Sequence, residues 1–193
     1  MKRICVFCGS NYGARPAYTE AARQLGAELA ERGIGLVYGG GRVGLMGEVA
    51  NAVMAAGGEA IGVIPEALFA REVGHQGLTE LHIVSSMHER KGMMADLSDA
   101  FITMPGGFGT MEEFFEVLTW GQLGLHTKPC GLLNVDGYYD TLLGLFDRFL
   151  DERFARREHR AFIIDDTDVT RLLDRLETYQ PPILEKWIAD DET

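Results

Sequence analysis

Short apolar runs alternate with longer segments of helical periodicity along this chain. The apolar runs predict seven strands, at residues 4–8, 34–38, 60–64, 81–84, 100–104, 130–134 and 161–164. The periodic segments predict helices at 16–32, 45–56, 87–97, 110–123, 138–153 and 169–179. Alternating strands and helices are typical of βαβ units, so the sequence predicts an α/β fold, a doubly wound parallel sheet flanked by helices on both faces.

No linker, internal repeat or low-complexity segment divides the chain. Its 193 residues, 46% hydrophobic content and 24 glycines suit one compact domain, residues 1–193, which ends in an acidic tail at 180–193. Ligands of doubly wound sheets bind at the carboxyl ends of the strands. Functional residues are therefore expected at the junctions where strands lead into helices.

The net charge restricts the partners. A formal charge of -11 argues against nucleic-acid polymers, which need a broad basic face. No run approaches the roughly 18 apolar residues of a membrane-spanning helix, so no membrane partner is expected. A phosphorylated small molecule would have to be held by local N–H groups and one or two selected cations.

The cysteines and histidines indicate neither a metal site nor a disulfide. Cys5 and Cys8 form a C-x-x-C inside an apolar run. Residues three apart on a strand face opposite sides, so both are predicted to be core thiols. Three cysteines without a secretory signal fit a reducing, cytoplasmic location. The five histidines are scattered and form no ligand set, so no metal is predicted.

The most informative segment is P-G-G-F-G-T-M-E-E at residues 105–113, between a predicted strand and a predicted helix. Glycines allow close approach of a ligand to the backbone, and a helix N-terminus offers unpaired N–H groups and a positive dipole end. Gly107, Gly109 and Thr110 are therefore predicted to hold a phosphate. Glu113, one turn into the helix, is a candidate catalytic acid beside that phosphate.

Glu113 also has a purely structural interpretation. Thr110 and Glu113 match the T-x-x-E capping box, in which Thr110 begins the helix and Glu113 bonds back to the Thr110 N–H. The pattern alone leaves both interpretations open.

Two further strand-to-helix junctions carry glycines. The phosphate-loop candidates there are Gly9, Ser10, Gly39, Gly40 and Gly41. G-x-G-x-x-G through residues 39, 41 and 44, with an acid at 59, resembles a dinucleotide fingerprint, but it follows the second strand and not the first. Simple tight turns are the other interpretation. The sequence therefore predicts no nicotinamide or other cofactor.

Cations are expected on the helix after Ser86. Ser86 and Glu89 form a plausible capping box, and Arg90 shares a stripe with apolar positions of that helix. The planar fork of Arg90 suits a ribose phosphate, although an ordinary surface arginine gives the same pattern. Lys91 points elsewhere around the helix, toward a different part of a ligand.

The helix predicted at 110–123 is apolar around most of its circumference. Its apolar positions are Met111, Phe114, Phe115, Val117, Leu118, Trp120 and Leu123. One apolar stripe is enough to cover a sheet, so the surplus predicts a second buried face, most simply a homodimer contact. A helix deep inside one domain is the alternative.

Taken together, these motifs resemble the LONELY GUY (LOG) family of cytokinin riboside 5'-monophosphate phosphoribohydrolases. The family signature P-G-G-x-G-T-x-x-E is met at 105–113, and its M-x-x-R-K element at 87–91. The resemblance extends to residues 7–10, 38–41, 44–47 and 131–139, and so covers roughly residues 4–150.

The resemblance implies a Rossmann-like dimer that hydrolyses the N-glycosidic bond of an N6-modified adenosine monophosphate. Free base and ribose 5-phosphate are the implied products, with no metal or nicotinamide required. The implied substrate-binding residues are Glu72, Arg90, Lys91, Gly107, Phe108, Gly109, Thr110, Met111, Glu112, Glu113 and Thr119. The loop around Glu72 departs from the usual family sequence.

Arg90 and Glu113 are the expected catalytic pair. Arg90 would orient the ribose phosphate, and Glu113 would stabilise an oxocarbenium-like transition state or activate the attacking water. Two other functions remain open at this point: a nucleosidase of plain AMP, and a carrier of nucleotide or molybdenum cofactor without catalysis.

Overall fold

The computed structural model describes residues 1–69 and 74–181. Within them, the strands form one sheet, and every pair of neighbouring strands is parallel. The strands are β1 (Arg3–Phe7), β2 (Gly35–Tyr38), β3 (Ala60–Pro65), β4 (Glu80–Val84), β5 (Ala100–Thr103), β6 (Cys130–Leu133) and β7 (Ile163–Asp166). Their order across the sheet is β4-β3-β2-β1-β5-β6-β7.

Helices cover both faces of this sheet. The helices are α1 (Pro16–Glu31), α2 (Gly44–Ala55), α3 (Glu66–Phe69), α4 (Met87–Asp96), α5 (Phe108–Gln122), α6 (Asp140–Asp151), α7 (Arg157–Arg160) and α8 (Val169–Glu177). One apolar cluster joins α1, α2 and α8 to the sheet, and a second joins α4, α5 and α6 to the opposite face. The predicted doubly wound architecture is confirmed.

The predicted elements agree with the observed ones to within two residues at each end. The short helices α3 and α7 were not predicted, because four residues are too few for a helical period to show. None of the described helices is long and apolar enough to cross a bilayer. The predicted acidic tail lies outside the described residues from 182 onward.

The cysteines lie in the core, as the sequence predicts. Cys5 packs in the cluster under α4 and α5, whereas Cys8 packs in the cluster on the other face. Both are free and buried, and burial raises the pKa of each thiol. Burial also raises the pKa of Cys130 to about 12. These thiols therefore stay protonated and serve as small apolar side chains.

Candidate active site

The strand order reverses between β1 and β5, and a cavity of about 460 Å³ lies at the carboxyl ends of these two strands. Such a reversal leaves a crevice between diverging loops, which is where doubly wound proteins bind ligands. The described residues that line this site cavity are Cys8, Gly9, Ser10, Asn11, Tyr12, Gly13, Tyr18, Leu45, Met46, Met87, Arg90, Pro105, Gly106, Gly107, Phe108, Gly109, Thr110, Glu112, Glu113 and Tyr138.

The N-terminus of α5 forms one wall of the site cavity. Gly107 is the N-cap, with extended backbone geometry, and the Met111 N–H donates to its carbonyl at 3.1 Å. The amides of Phe108, Gly109 and Thr110 precede that first helical hydrogen bond and have no carbonyl within the helix to bind. They offer three N–H groups and the positive end of the helix dipole to an anion.

The structure tests the capping interpretation of Glu113. Helix α5 begins at Phe108, two residues earlier than predicted, so Thr110 is its third residue and no side chain caps the helix. Thr110 is therefore not the N-cap that the capping-box interpretation requires, and the catalytic role of Glu113 stays a prediction. Glu113 lies in the second turn, and its carboxyl group is at the cavity with a side chain 12% exposed.

Arg90 reaches the site cavity from α4, on the buried face predicted for it. Its Nε donates to the Val63 carbonyl and its Nη2 to the Gly39 carbonyl, each at 3.1 Å. The third nitrogen, Nη1, lies 3.9 Å from Glu113 Oε1. A Cβ at Gly39 would overlap Nη2, so the glycine makes room for the guanidinium. The carbonyl of Gly39, just after β2, and that of Val63, in β3, thus hold the Arg90 guanidinium beside the Glu113 carboxylate.

Hydrogen bonds of Ser85 and Ser86 fix the start of α4, the helix that carries Arg90. The Ser86 side chain accepts from the Glu89 N–H at 3.2 Å, as predicted for a cap. The Glu89 carboxylate, however, binds the N–H and hydroxyl of Ser85, at 2.8 and 2.7 Å, so the capping box closes one residue earlier than expected. These hydrogen bonds lower the pKa of Glu89.

Lys91 turns away from Arg90 and binds the outer side of α5. Its Nζ lies 2.5 Å from Glu112 Oε1 and 2.9 Å from Glu116 Oε1. Burial opposes the charge of Lys91, but the two carboxylates outweigh it and raise the pKa of the amine. These two ion pairs of Lys91 connect α4 to the first turns of α5, next to Glu113.

The glycine loops divide into two groups. Gly9 and Ser10 line the site cavity, and the Gly9 N–H binds the Pro105 carbonyl at 3.1 Å. The described lining does not include the loop 39–41, which makes backbone contacts with residues 74 and 75 and holds Arg90 through Gly39. That loop therefore contributes to the site indirectly, by holding Arg90.

The remaining predicted residues have mixed positions. Phe108 and Glu112 line the site cavity, and Met111 is half-buried on α5 beside them. Thr119 lies elsewhere, in a second cavity between α5 and α6, and its hydroxyl donates to the Phe115 carbonyl at 2.7 Å. Glu72 lies outside the described residues. The roles given to these residues stay predictions.

Two tyrosines at the site were missed as functional candidates. The hydroxyl of Tyr138 donates to the Gly106 carbonyl and that of Tyr139 to the Met104 carbonyl, each at 2.6 Å. Their segment, 131–139, was noted only as part of the family resemblance. These contacts join positions more than 30 residues apart, and a local pattern carries no signal for them.

The groups at the site cavity suit a phosphorylated substrate. Within residues 1–69 and 74–181, no three His, Cys, Asp or Glu side chains are grouped so as to hold a metal ion. The cavity combines the first-turn amides of α5, the buried guanidinium of Arg90 and the carboxylates of Glu112 and Glu113. This set can anchor an anion at one point and stabilise a developing positive charge at another.

Comparison with known proteins identifies the family. A family model described as "Possible lysine decarboxylase" matches residues 46–176. A probable cytokinin riboside 5'-monophosphate phosphoribohydrolase of Oryza sativa subsp. japonica, LOGL1, is 55% identical over 177 residues, 92% of this chain and 79% of the relative. The Arabidopsis thaliana phosphoribohydrolase LOG7 is 53% identical, over 93% of this chain and 83% of its own.

The label of the family model does not fit the site. Decarboxylation of lysine through pyridoxal phosphate needs a lysine amine in the cavity to form the Schiff base. The described lining of the site cavity contains no lysine.

Solved structures that resemble this chain support the fold alone. The molybdenum cofactor binding protein of Rippkaea orientalis superposes with a TM-score of 0.68 at 22% identity, over 92% of this chain and 97% of that one. The molybdenum cofactor carrier protein of Chlamydomonas reinhardtii gives 0.68 at 20%, over 91% and 96%. Identity near 50% along nearly the whole length is found instead with the phosphoribohydrolases. The chain belongs to the LOG family, the family of the cytokinin riboside 5'-monophosphate phosphoribohydrolases.

Proposed function

We propose that this protein hydrolyses the N-glycosidic bond of N6-modified adenosine 5'-monophosphates and releases the free base and ribose 5-phosphate. One observation carries the proposal. Arg90 and Glu113, 3.9 Å apart, lie in the same cavity as the open amides at the start of α5. The relatives that share about half of the sequence are named for this activity.

The 5'-phosphate anchors the substrate at the start of α5. The amides of Phe108, Gly109 and Thr110 donate to the phosphate oxygens, and the helix dipole favours their charge. Binding energy from this remote group is used to fix the sugar for reaction. A nucleoside without the phosphate should therefore react far more slowly than the nucleotide.

The carboxylate of Glu113 acts at the anomeric carbon. The bond from the ribose C1' to the purine nitrogen breaks and the base leaves with the bonding electrons. Water supplies a hydroxyl group to C1' and, overall, a proton to the departing base. The transition state resembles an oxocarbenium ion, as in O-glycoside hydrolysis. Glu113 stabilises that cation or accepts a proton from the water. Arg90 orients the ribose phosphate, and its Nη1 lies 3.9 Å from Glu113 Oε1.

Base release, measured by chromatography, tests the proposal. We expect Glu113→Gln to lower kcat by at least about 100-fold, in the range of lost acid–base or charge stabilisation, while the thermal unfolding midpoint changes little. Glu116→Gln is the matched control: it makes the same change one turn further along α5, where Glu116 pairs with Lys91. Full activity of Glu113→Gln, or a wild-type protein that releases no base, would refute the proposed mechanism.

The same assay tests the substrate class. The ratio of kcat/KM for isopentenyl-AMP to that for AMP should exceed one for a phosphoribohydrolase of N6-modified nucleotides. A ratio at or below one would instead indicate an AMP nucleosidase.

A homodimer is part of the proposal. Phe115, Phe146, Phe149 and Phe154 line the second cavity, about 290 Å³, between α5 and α6. Phe154 is 85% exposed and Phe115 is 37% exposed, so this face leaves aromatic surface in water. Apolar patches of this kind mark interaction surfaces, and a second copy of the chain is the simplest partner.

We also propose that the protein is cytoplasmic. Cys5, Cys8 and Cys130 are free, buried thiols, which is typical of proteins from reducing compartments. Fractionation of cells followed by detection of the protein tests this location.

A further inference from the structure

The turn that follows β6 is built rigidly and has no part in the chemistry above. The Asn134 side chain accepts from the Tyr139 N–H and donates to the Asp140 carboxylate, each at 2.7 Å. Asp136 and Gly137 adopt left-handed backbone angles, with φ of 50° and 70°. A buried asparagine thus fixes a tight turn, and the turn fixes Tyr138 and Tyr139.

Both tyrosines donate to the backbone between β5 and α5. The Tyr139 hydroxyl binds the Met104 carbonyl and the Tyr138 hydroxyl binds the Gly106 carbonyl, each at 2.6 Å. The Tyr139 ring is buried, whereas Tyr138 is 43% exposed and lines the site cavity. The Tyr138 ring packs edge-on against Tyr139 and Tyr18, at centroid distances of 4.8 and 5.6 Å. The ring is therefore held by neighbours that do not depend on its hydroxyl.

The bond from Tyr138 sets the orientation of one peptide group. In a trans peptide, the carbonyl of one residue and the N–H of the next point in opposite directions. Holding the Gly106 carbonyl therefore also aims the Gly107 N–H. Gly106 and Gly107 are both glycines, so their shared peptide would otherwise rotate with little steric resistance.

We propose that Tyr138 is a positioning residue that commits the Gly106 carbonyl to its own hydroxyl and directs the Gly107 N–H toward the substrate phosphate. This inference rests on the proposed function, because it takes the start of α5 as the phosphate site. A carbonyl turned toward the phosphate would repel it, whereas an N–H adds a fourth donor to the three amides of the first turn.

Inhibition by ribose 5-phosphate tests the inference directly, because this product carries the phosphate without the base. We expect Tyr138→Phe to raise the Ki of ribose 5-phosphate and the KM of the nucleotide by about tenfold, the typical size of a weakened charge-assisted hydrogen bond. The change in kcat should stay below about threefold, and the Ki of the free base should not change, because neither depends on the phosphate.

Tyr179→Phe is the control for the loss of a tyrosine hydroxyl. The Tyr179 hydroxyl is buried and has no hydrogen-bond partner among the described residues, and Tyr179 lies at the amino ends of the strands, with Asp99 and Pro129, away from the site cavity. Tyr138→Phe keeps the aromatic ring, so its thermal midpoint should stay close to that of the wild type.

Two results would overturn the inference. An unchanged Ki of ribose 5-phosphate in Tyr138→Phe would show that the peptide needs no orienting bond. An equal rise in the Ki of the free base would show that Tyr138 contacts the base itself. Either result, with normal base release and normal product inhibition in the wild type, leaves the proposed function standing. A wild type that shows neither would refute both.

Discussion

Two glycines at the start of α5 are not explained by folding. A Cβ at Gly107 or Gly109 would meet no atom within 4 Å, and neither residue has a positive φ. At Gly106, by contrast, a Cβ would overlap the Thr110 side chain. Glycine within a helix costs stability relative to alanine. The open space beside Gly107 and Gly109 therefore favours a ligand that approaches the backbone closely.

Gly109→Ala tests this argument, because it should separate stability from activity. The methyl group removes unfolded-chain entropy and should stabilise the fold by about 0.5–1 kcal/mol. The same methyl group stands where the phosphate approaches, so the KM of the nucleotide should rise by at least about tenfold. Urea unfolding and steady-state kinetics measure the two effects.

Gly92→Ala provides the matched control for Gly109→Ala. Gly92 lies within α4, and a Cβ there would also meet no atom within 4 Å. This variant should gain similar stability and keep wild-type kinetics. A Gly109→Ala protein that is both more stable and fully active would mean that no ligand comes close to the start of α5.

At the scale of single elements, local patterns predicted which helices and strands form better than they predicted where each one begins and ends. The helical periodicity predicted each of the longer helices. Helix α5, however, begins at Phe108 with Gly107 as its N-cap, and the sequence does not distinguish an N-cap glycine from a turn glycine. The T-x-x-E pattern of Thr110 and Glu113 lies inside the helix, although the same pattern is typical of a helix N-terminus. For Arg90 the helical stripe predicted burial, but the carbonyls of Gly39 and Val63 that hold it are 51 and 27 residues away. Such contacts depend on strand order.

The loop between α5 and β6 depends on a neutral histidine. His126 Nε2 lies 2.8 Å from the Val117 carbonyl, and its Nδ1 accepts from the Lys128 N–H at 3.1 Å. Only the neutral ring with its proton on Nε2 makes both bonds. Burial and the nearby Lys128 charge lower the pKa of His126 from 6.5, against a raising effect of the bond to Val117.

We expect acid to destabilise this loop. The folded-state pKa of His126 lies below the unfolded value of 6.5, so the unfolded chain binds more protons and stability falls as pH drops through and below 6.5. His126→Asn can still accept from Lys128 but cannot titrate. It should be less stable near neutral pH by about 1–2 kcal/mol and should lose less stability than wild type between about pH 7.5 and 5.5. Urea midpoints across this range give the comparison.

The stability of His126→Asn should still fall with decreasing pH. Burial also lowers the pKa of His75 and His159, and these two contribute in the same direction. Parallel stability profiles for wild type and His126→Asn would contradict the assignment of a shifted pKa to His126.

At the scale of the whole molecule, the sequence predicted the class of fold but not the order of its strands. Alternation of strands and helices requires a parallel sheet, yet it does not say where the chain turns back from β4 to the other side of β1. That step brings the loop after β5 beside the loop after β1 and so forms the site cavity. The order follows from how the helices pack on both faces, which is a property of the complete chain.

The net charge of the whole chain also limits how the substrate is bound. A formal charge of -11 repels a phosphate dianion at long range. Among the residues described, Arg90 is the cation that lines the site cavity, next to Glu112 and Glu113. The phosphate must therefore be held mainly by short-range amide donors. This dependence on amides is why the orientation of individual peptide groups matters at this site.

Assembly into a dimer should depend on the exposed aromatic face of α5 and α6. Phe154, at the aromatic face of α5 and α6, is 85% exposed, so Phe154→Glu costs a monomer little but places a charge in the proposed dimer contact. Sedimentation should give about twice the chain mass of 21.3 kDa for the wild type and the single-chain mass for this variant. Ile83→Glu is the control, because Ile83 is 55% exposed on edge strand β4, at the far side of the sheet. If Ile83→Glu dissociated the dimer and Phe154→Glu did not, the dimer contact would lie at edge strand β4 and not at the aromatic face of α5 and α6.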